Sequence, residues 1–174
     1  RSYKGIMKIT GLKCIHADAG CRNFDFLKIT TDEGVTGRRE FNESFGGMSV
    51  SAVIQHFKPL LLGEDPIAYE RIIAKLFAVR RQASGGLVQQ AIGAVENALL
   101  DIKARALGIP VYEMLGGPVR EKIRLYWSHC GTYRVAWPEE MTIPPIKNIS
   151  DIRAMGKEVV SKGYTALKTN IFLF

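Results

Sequence analysis

The chain has 174 residues, of which 47% are hydrophobic and 24% charged, a balance typical of folded globular proteins. Its net charge of +7 comes from lysines and arginines spread along the whole sequence, without a recognisable nucleic-acid motif. No apolar run reaches the length of a membrane span. The cysteines, Cys14, Cys21 and Cys130, are odd in number and lack zinc-binding spacing. We therefore expect a cytoplasmic globular protein that binds neither nucleic acid nor membranes.

Three strands are predicted in the first quarter of the chain. Residues 6–16, 24–30 and 35–41 are rich in β-branched and aromatic residues, and the sequence TDEG at 31–34 is a turn signal between the last two. Short connections between consecutive strands favour antiparallel pairing. The pattern predicts a three-stranded antiparallel meander.

Helices are predicted to follow the meander, over residues 49–57, 66–79 and 87–107. Asp65 is the expected N-cap of the second helix, and Gly108 is the expected end of the third. The third helix has apolar residues at spacings of three and four, which predicts one buried face. That face comprises Val88, Ala91, Ile92, Val95, Leu99, Ile102 and Ala106.

The remainder of the chain predicts a strand at 122–129, a helix capped by Ser150 that ends near residue 161, and a strand at 165–170. A strand, a crossover helix and a second strand form a βαβ unit, which requires a parallel sheet. Parallel sheets are normally covered on both faces. The apolar ending at 171–174 therefore favours the expectation that this sequence is cut from a larger fold.

The last predicted strand carries two polar side chains on one face. Side chains alternate along a strand, so Lys168 and Asn170 point the same way and Thr169 points the opposite way. We expect these two polar groups to reach the same place at the end of the strand.

One long segment resembles a known family. The sequence QQAIGAVENALLDIKARALGIPVYEMLGG, at 89–117, is similar to the end of the N-terminal capping domain of the mandelate racemase and muconate lactonizing enzyme family, within the enolase superfamily. The DEGVTG turn at 32–37 and the late K-x-N strand are also similar, so the resemblance extends from about Lys8 to Asn170. It implies an α+β capping domain over residues 1–117 and, over 118–174, the first βαβ unit of a truncated TIM-like barrel.

The resemblance also implies a chemistry. In this family Mg²⁺, held by three carboxylates on later barrel strands, stabilises the enolate formed when a base removes a proton next to a substrate carboxylate. The metal ligands are thus expected beyond Phe174, with none in this chain. The expected substrate is a small carboxylate or acid sugar, and a homo-oligomer is expected by analogy.

Two catalytic positions can be carried over from the resemblance. Lys168 matches the first lysine of the family's K-x-K motif, whose ammonium helps to neutralise charge near the substrate carboxylate. Asn170 stands where many members have a second, proton-transferring lysine, and an amide cannot serve as that base. This departure favours an acid-sugar dehydratase, a carbon–oxygen lyase that needs one base. The alternatives are a racemase, epimerase or cycloisomerase of the same family, and a non-catalytic binding or oligomerisation module. We expect the 174-residue chain alone to be inactive.

Substrate contacts are expected from two loops and one strand end. By position, residues 17–24 and 42–49 resemble the specificity loops of the family. Arginine suits paired oxygens, amides and hydroxyls suit sugar hydroxyls, and apolar side chains exclude water. The predicted substrate-binding residues are Arg22, Asn23, Ser44, Phe45 and Met48 in the loops, and Ser128 and His129 at the end of the first barrel strand.

Overall fold

The computed structural model describes residues 7–45, 47–83 and 85–170. The chain divides into two compact units, Arg1–Pro118 and Val119–Phe174. Within the described ranges, no helix combines the length and the apolar character needed to cross a bilayer.

The first unit begins with the predicted antiparallel meander. Strands β1 (Ile9–Asp18), β2 (Asn23–Thr31) and β3 (Thr36–Phe41) pair in the order β1-β2-β3. Every second residue of β2 is buried, because side chains of a strand alternate between the core face and the outer face. Gly34, in the turn before β3, has a φ of 79°, a left-handed conformation that favours glycine.

Helices α1 (Val50–Leu61), α2 (Tyr69–Val79) and α3 (Gly86–Leu107) follow the meander, as predicted. The predicted end of α1 at residue 57 is wrong, because the helix continues through Pro59 to Leu61. Its buried residues recur on one face, and burial of Leu61 helps to offset the hydrogen bond that a proline cannot make.

Two predicted helix boundaries in the first unit, at Asp65 and at Gly108, are confirmed. Asp65 precedes a 3₁₀ turn (Pro66–Ala68) that leads into α2, and its carboxylate accepts a hydrogen bond from the Ile67 N–H at 3.0 Å. Gly108 ends α3 in a left-handed conformation with a φ of 71°. A four-residue helix, α4 (Val111–Met114), then closes the unit.

The core of the first unit lies between one face of the sheet and the apolar faces of the helices. Helix α3 approaches β3 closely at Gly37, where an added Cβ would overlap the Ala98 carbonyl oxygen and lie 2.7 Å from Cγ1 of Ile102. The absence of a side chain at Gly37 therefore sets the distance between helix and sheet. Side chains that are completely buried in this core include Leu27, Ile29, Ile54, Phe57, Leu76, Ile92 and Leu99.

We expect Gly37→Ala to lower the free energy of unfolding by about 1–3 kcal/mol, because the new methyl group must push α3 away from β3. Urea denaturation of the purified chain measures this. Gly93→Ala is the matched control, since a Cβ at residue 93 would meet nothing within 4 Å and alanine favours a helix. Equal stabilities for the two variants would contradict the close approach.

The second unit contains the predicted βαβ arrangement. Strands β4 (Trp127–Ser128) and β5 (Leu167–Lys168) are parallel, and α6 (Ile149–Ser161) lies between them in sequence. Both strands are shorter than predicted, because only these two residue pairs share ladder hydrogen bonds. A short helix, α5 (Thr132–Ala136), forms part of the connection between β4 and α6.

The predicted cap of α6 is wrong by two residues. Asn148, and not Ser150, is the N-cap, and its side-chain oxygen accepts a hydrogen bond from the Asp151 N–H at 3.1 Å. The Ser150 hydroxyl donates to the same Asn148 oxygen. The sequence alone did not separate the two residues, because both types are favoured at helix N-caps.

A charged pair supports the core of the second unit. Arg134 is only 4% exposed, and it donates to the Cys130 carbonyl at 3.1 Å and to the Glu158 carboxylate at 2.7 Å. Hydrogen bonding by Lys162 is the main cause that lowers the pKa of Glu158; burial opposes this, and the Arg134 hydrogen bond adds to it. The carboxylate therefore stabilises the folded unit when it is ionised.

We expect Glu158→Gln to lower the free energy of unfolding by about 1–2 kcal/mol near neutral pH, because Arg134 loses its charged partner. The folded-state pKa of Glu158 is lowered, so this contribution is present above the unfolded-state pKa and is lost as pH falls through the folded-state pKa. Denaturation of both proteins as a function of pH should show their difference shrinking below about pH 4. Glu140→Gln, at an exposed glutamate, controls for loss of one charge. A difference that is constant with pH would contradict the role of the ionised pair.

Candidate active site

The ends of the two parallel strands bring polar side chains to one edge of the second unit. Ser128 is paired directly with Lys168 in the register of β4 and β5, and both residues are exposed. Lys168 and Asn170 are exposed and Thr169 is half-buried, but of these three residues only Lys168 lies within β5. The Asn170 N–H donates to the Thr132 hydroxyl at 3.2 Å, which ties this strand end to α5.

His129 lies immediately after β4 in a left-handed conformation, with a φ of 54°. A positive φ is uncommon outside glycine, and it turns the chain sharply at the strand end. The imidazole lies against the Tyr133 ring, with 5.5 Å between ring centroids. Its Nδ1 is buried and has no hydrogen-bond partner among the described residues.

The side chains at this edge can stabilise negative charge, but Asn170 cannot act as a base. An ammonium, a hydroxyl and an imidazole nitrogen can each donate a hydrogen bond to a carboxylate or to the enediolate derived from it. The amide of Asn170 does not titrate, so it can orient a substrate but cannot accept its proton.

In the first unit, Arg22 is more firmly held than the sequence suggested. Its Nη2 lies 3.0 Å from the Glu40 carboxylate, and its guanidinium lies 4.1 Å from the centre of the Phe24 ring. The Phe45 ring is 5.8 Å away. Its Nε is buried without a hydrogen-bond partner among the residues described. Glu40 and the Phe24 ring therefore hold the guanidinium in one orientation.

The two predicted loops contact each other. The Ser44 hydroxyl donates to the Asn23 carbonyl at 3.2 Å, and the Phe45 N–H donates to the Asn42 side chain at 3.1 Å. The Ser44 hydroxyl is engaged by a backbone group, although it was predicted to bind substrate. Phe45 and Met48 are 63% and 76% exposed, so they form an apolar surface at this loop.

A cluster of His16, Asp25 and Glu43 lies next to these loops and was not predicted from the sequence. Asp25 is 2% exposed, accepts a hydrogen bond from the Glu43 N–H at 2.8 Å, and lies 2.7 Å from Nδ1 of His16. Burial opposes ionisation, but these bonds and the charge of Arg22 outweigh it and lower the Asp25 pKa. The available signal was the alternation of β2, which puts an aspartate in the buried row of Leu27.

The same cluster is the only group of three His, Cys, Asp or Glu donors in the described part of the chain that could share a metal ion. It does not fit Mg²⁺, which prefers six oxygen ligands in octahedral geometry. Both Asp25 oxygens are in contact with partners, and one Glu43 oxygen accepts from the Ser51 N–H at 2.6 Å. We therefore assign no magnesium ligand to these residues.

A three-stranded meander followed by helices, and then a parallel βαβ unit, is the order of elements that the resemblance to the enolase superfamily predicted. The model of the mandelate racemase / muconate lactonizing enzyme N-terminal domain matches residues 15–116. This chain therefore belongs to the mandelate racemase and muconate lactonizing enzyme family of the enolase superfamily, as its sequence predicted.

Two curated relatives of this chain are named as dehydratases. D-galactonate dehydratase of Xanthomonas axonopodis pv. citri (strain 306) is 36% identical over 151 residues, which cover 86% of this chain and 36% of that enzyme. D-galactonate dehydratase of Variovorax paradoxus (strain S110) is 37% identical over 120 residues, 69% of this chain and 31% of that enzyme. The chain thus spans about a third of the length of these curated relatives.

Solved structures share the fold. A proposed L-alanine-DL-glutamate epimerase from Burkholderia xenovorans strain LB400 superposes with a TM-score of 0.90 and 41% identity, over 95% of this chain and 42% of that one. Another crystal structure of that protein holds magnesium and fumarate. A proposed dehydratase from Zymomonas mobilis ZM4 has a TM-score of 0.81 and 30% identity, over 95% of this chain and 42% of that one. The names of these relatives cover two chemistries, elimination and epimerisation.

Proposed function

We propose that this chain forms the capping domain and first barrel strands of an acid-sugar dehydratase, a carbon–oxygen lyase. The observation that carries the proposal is that Lys168, the last residue of β5, and Asn170, two residues later, are both exposed. A strand end that offers one cation and one non-titrating amide suits a reaction with a single proton abstraction. The dehydratase names of the curated relatives support the same chemistry.

In the proposed reaction a base outside the described residues removes the proton next to the substrate carboxylate. The Lys168 ammonium, with Ser128 and His129 as hydrogen-bond donors, stabilises the negative charge that develops on the carboxylate oxygens. The bond from the next carbon to its hydroxyl then breaks, and the hydroxyl leaves as water after it accepts a proton. The resulting enol takes up a proton from solvent at C3, releases the proton of its C2 hydroxyl, and so becomes a 2-keto-3-deoxy acid.

The loops of the first unit are proposed to bind substrate, as their resemblance to the specificity loops of the family implies. The oriented guanidinium of Arg22 suits a carboxylate or a pair of hydroxyls, and the Asn23 side chain suits a hydroxyl. Phe45 and Met48 would exclude water. Mg²⁺ is proposed to bind to carboxylates outside the described residues, as the magnesium in the Burkholderia structure suggests. Cytoplasmic location and homo-oligomerisation remain predictions.

An epimerase of the same family is the second candidate, favoured by the name of the 41% identical Burkholderia protein. Epimerisation by two bases requires a proton donor or acceptor on each face of the reacting carbon. Asn170 cannot act as one of them. The chemistry of this residue therefore places elimination ahead of epimerisation.

We expect a full-length protein that contains this chain to convert at least one acid sugar to a 2-keto-3-deoxy acid in the presence of Mg²⁺. D-galactonate is the first substrate to test, and the keto acid is measured as its semicarbazone. Lys168→Met should lower kcat/KM by about 100-fold or more, because charge stabilisation is lost in the transition state. Lys157→Met, at an exposed lysine of α6, is the matched control and should have little effect.

Deuterium oxide separates the two candidates. A dehydratase gives a keto acid with solvent deuterium at C3 and leaves C2 of the recovered substrate unlabelled, provided that proton abstraction commits the substrate to elimination. An epimerase gives the inverted substrate with deuterium at C2. The second result, without any keto acid, would overturn the dehydratase proposal.

A further inference from the structure

We propose that Asp25 is a positioning residue: it holds residues 42–45 in the arrangement in which substrate binds, through hydrogen bonds with His16 and Glu43. This inference rests on the proposed function, because it assigns a role in substrate binding to a group below the loops. Asp25 itself is not proposed to touch the substrate.

Burial of the Asp25 carboxylate is unfavourable unless both of its oxygens accept hydrogen bonds. Asp25 belongs to the buried row of β2, in line with Leu27 and Ile29, and it is 2% exposed. Transfer of a carboxylate from water to such a place is unfavourable unless hydrogen bonds replace the lost water. The structure supplies one partner for each oxygen, Nδ1 of His16 at 2.7 Å and the Glu43 N–H at 2.8 Å. An apolar residue would pack in this row without needing hydrogen-bond partners. Packing alone therefore does not explain a carboxylate at this position.

Asp25 connects the ends of all three strands. His16 of β1 and Phe41 of β3 are its direct neighbours in the sheet register. The His16 ring lies edge-on to the Phe41 ring, with 6.2 Å between centroids, so the imidazole is fixed by packing as well as by the carboxylate. The bonds to Asp25 thus lie where β1 and β3 lead into the two loops.

Glu43 links Asp25 to the second loop and to helix α1 through two hydrogen bonds. Its N–H is bonded to Asp25, while its own carboxylate accepts from the Ser51 N–H in the first turn of α1 at 2.6 Å. A carboxylate at this place also interacts favourably with the helix dipole. Both ends of the loop are therefore fixed through one residue.

The same loop carries groups proposed to meet the substrate. The Phe45 N–H is bonded to the Asn42 side chain, and the Phe45 ring lies 5.8 Å from the Arg22 guanidinium. A change in the position of Glu43 would therefore alter the surroundings of Arg22. Asp25 can influence substrate affinity in this way without any contact with the reacting atoms.

The test compares Asp25→Asn with Thr31→Val in the full-length protein. Both substitutions change a buried polar group in the same row of β2, but the Thr31 hydroxyl donates to the Val35 carbonyl, at the opposite end of the strand. We expect Asp25→Asn to raise KM for the acid sugar by about tenfold or more with little change in kcat, because the binding-competent loop becomes a minor state. Thr31→Val should lower stability but leave KM unchanged.

Hydrogen exchange supplies a readout that does not depend on activity. In Asp25→Asn the amides of Glu43, Phe45 and Ser51 should exchange at least tenfold faster, while those of α3 keep their wild-type rates. If Asp25→Asn does not fold, His16→Phe decides the question: it keeps a ring against Phe41 and removes the bond to Asp25, at a side chain that is 46% exposed. It should change KM and exchange in the same direction.

The outcomes separate the two proposals. If the wild-type protein turns over no acid sugar but the exchange result holds, the proposed function fails and the fixing of the loop by Asp25 stands, without its role in binding. If the wild-type enzyme is active and the Asp25 and His16 variants lose only global stability, with an unchanged KM and uniform exchange, the positioning role is overturned.

Discussion

The close packing of α3 against β3 is the constraint on which the first unit depends. Gly37 lets the helix backbone approach the sheet, and this distance determines how the apolar residues of both layers fill the core. The core in turn fixes the ends of the strands. The two loops leave the sheet at those ends, so their geometry follows from a contact that involves none of the predicted substrate-binding residues.

In the second unit, a buried charged pair contributes to the packing of the helices. Arg134 is buried beneath the Trp127 ring, 5.7 Å from its centre, and is neutralised by Glu158 of α6. This pair joins α5 and α6 next to β4. The parallel register then brings Ser128 beside Lys168, which creates the polar edge from two segments about forty residues apart.

The proposed function draws on features of each unit. In the proposed reaction the amide of Asn170 would leave out one possible base, and the Lys168 ammonium would stabilise the charge of an enediolate. Arg22 is oriented by Glu40 and Phe24 before any ligand binds, which reduces the entropy lost on binding. The bonded Asp25 extends the same principle to the second loop, because a fixed loop does not have to be ordered by the substrate.

The sequence by itself determined the elements whose signals are local. Periodicity predicted the meander and the helices, Asp65 and Gly108 marked helix ends, and strand alternation placed Lys168 and Asn170 on one face. Only the tertiary structure decided that α1 continues past Pro59, because burial of Leu61 outweighs a local preference.

Tertiary structure likewise decided which polar side chains meet. Arg22 pairs with Glu40 across the sheet, and Asp25 meets His16 and Glu43, although the sequence separates these residues by 9 to 18 positions. No local pattern encodes such contacts. They depend on strand register and on the cost of leaving a buried charge without a partner, and both are fixed only when the chain has folded.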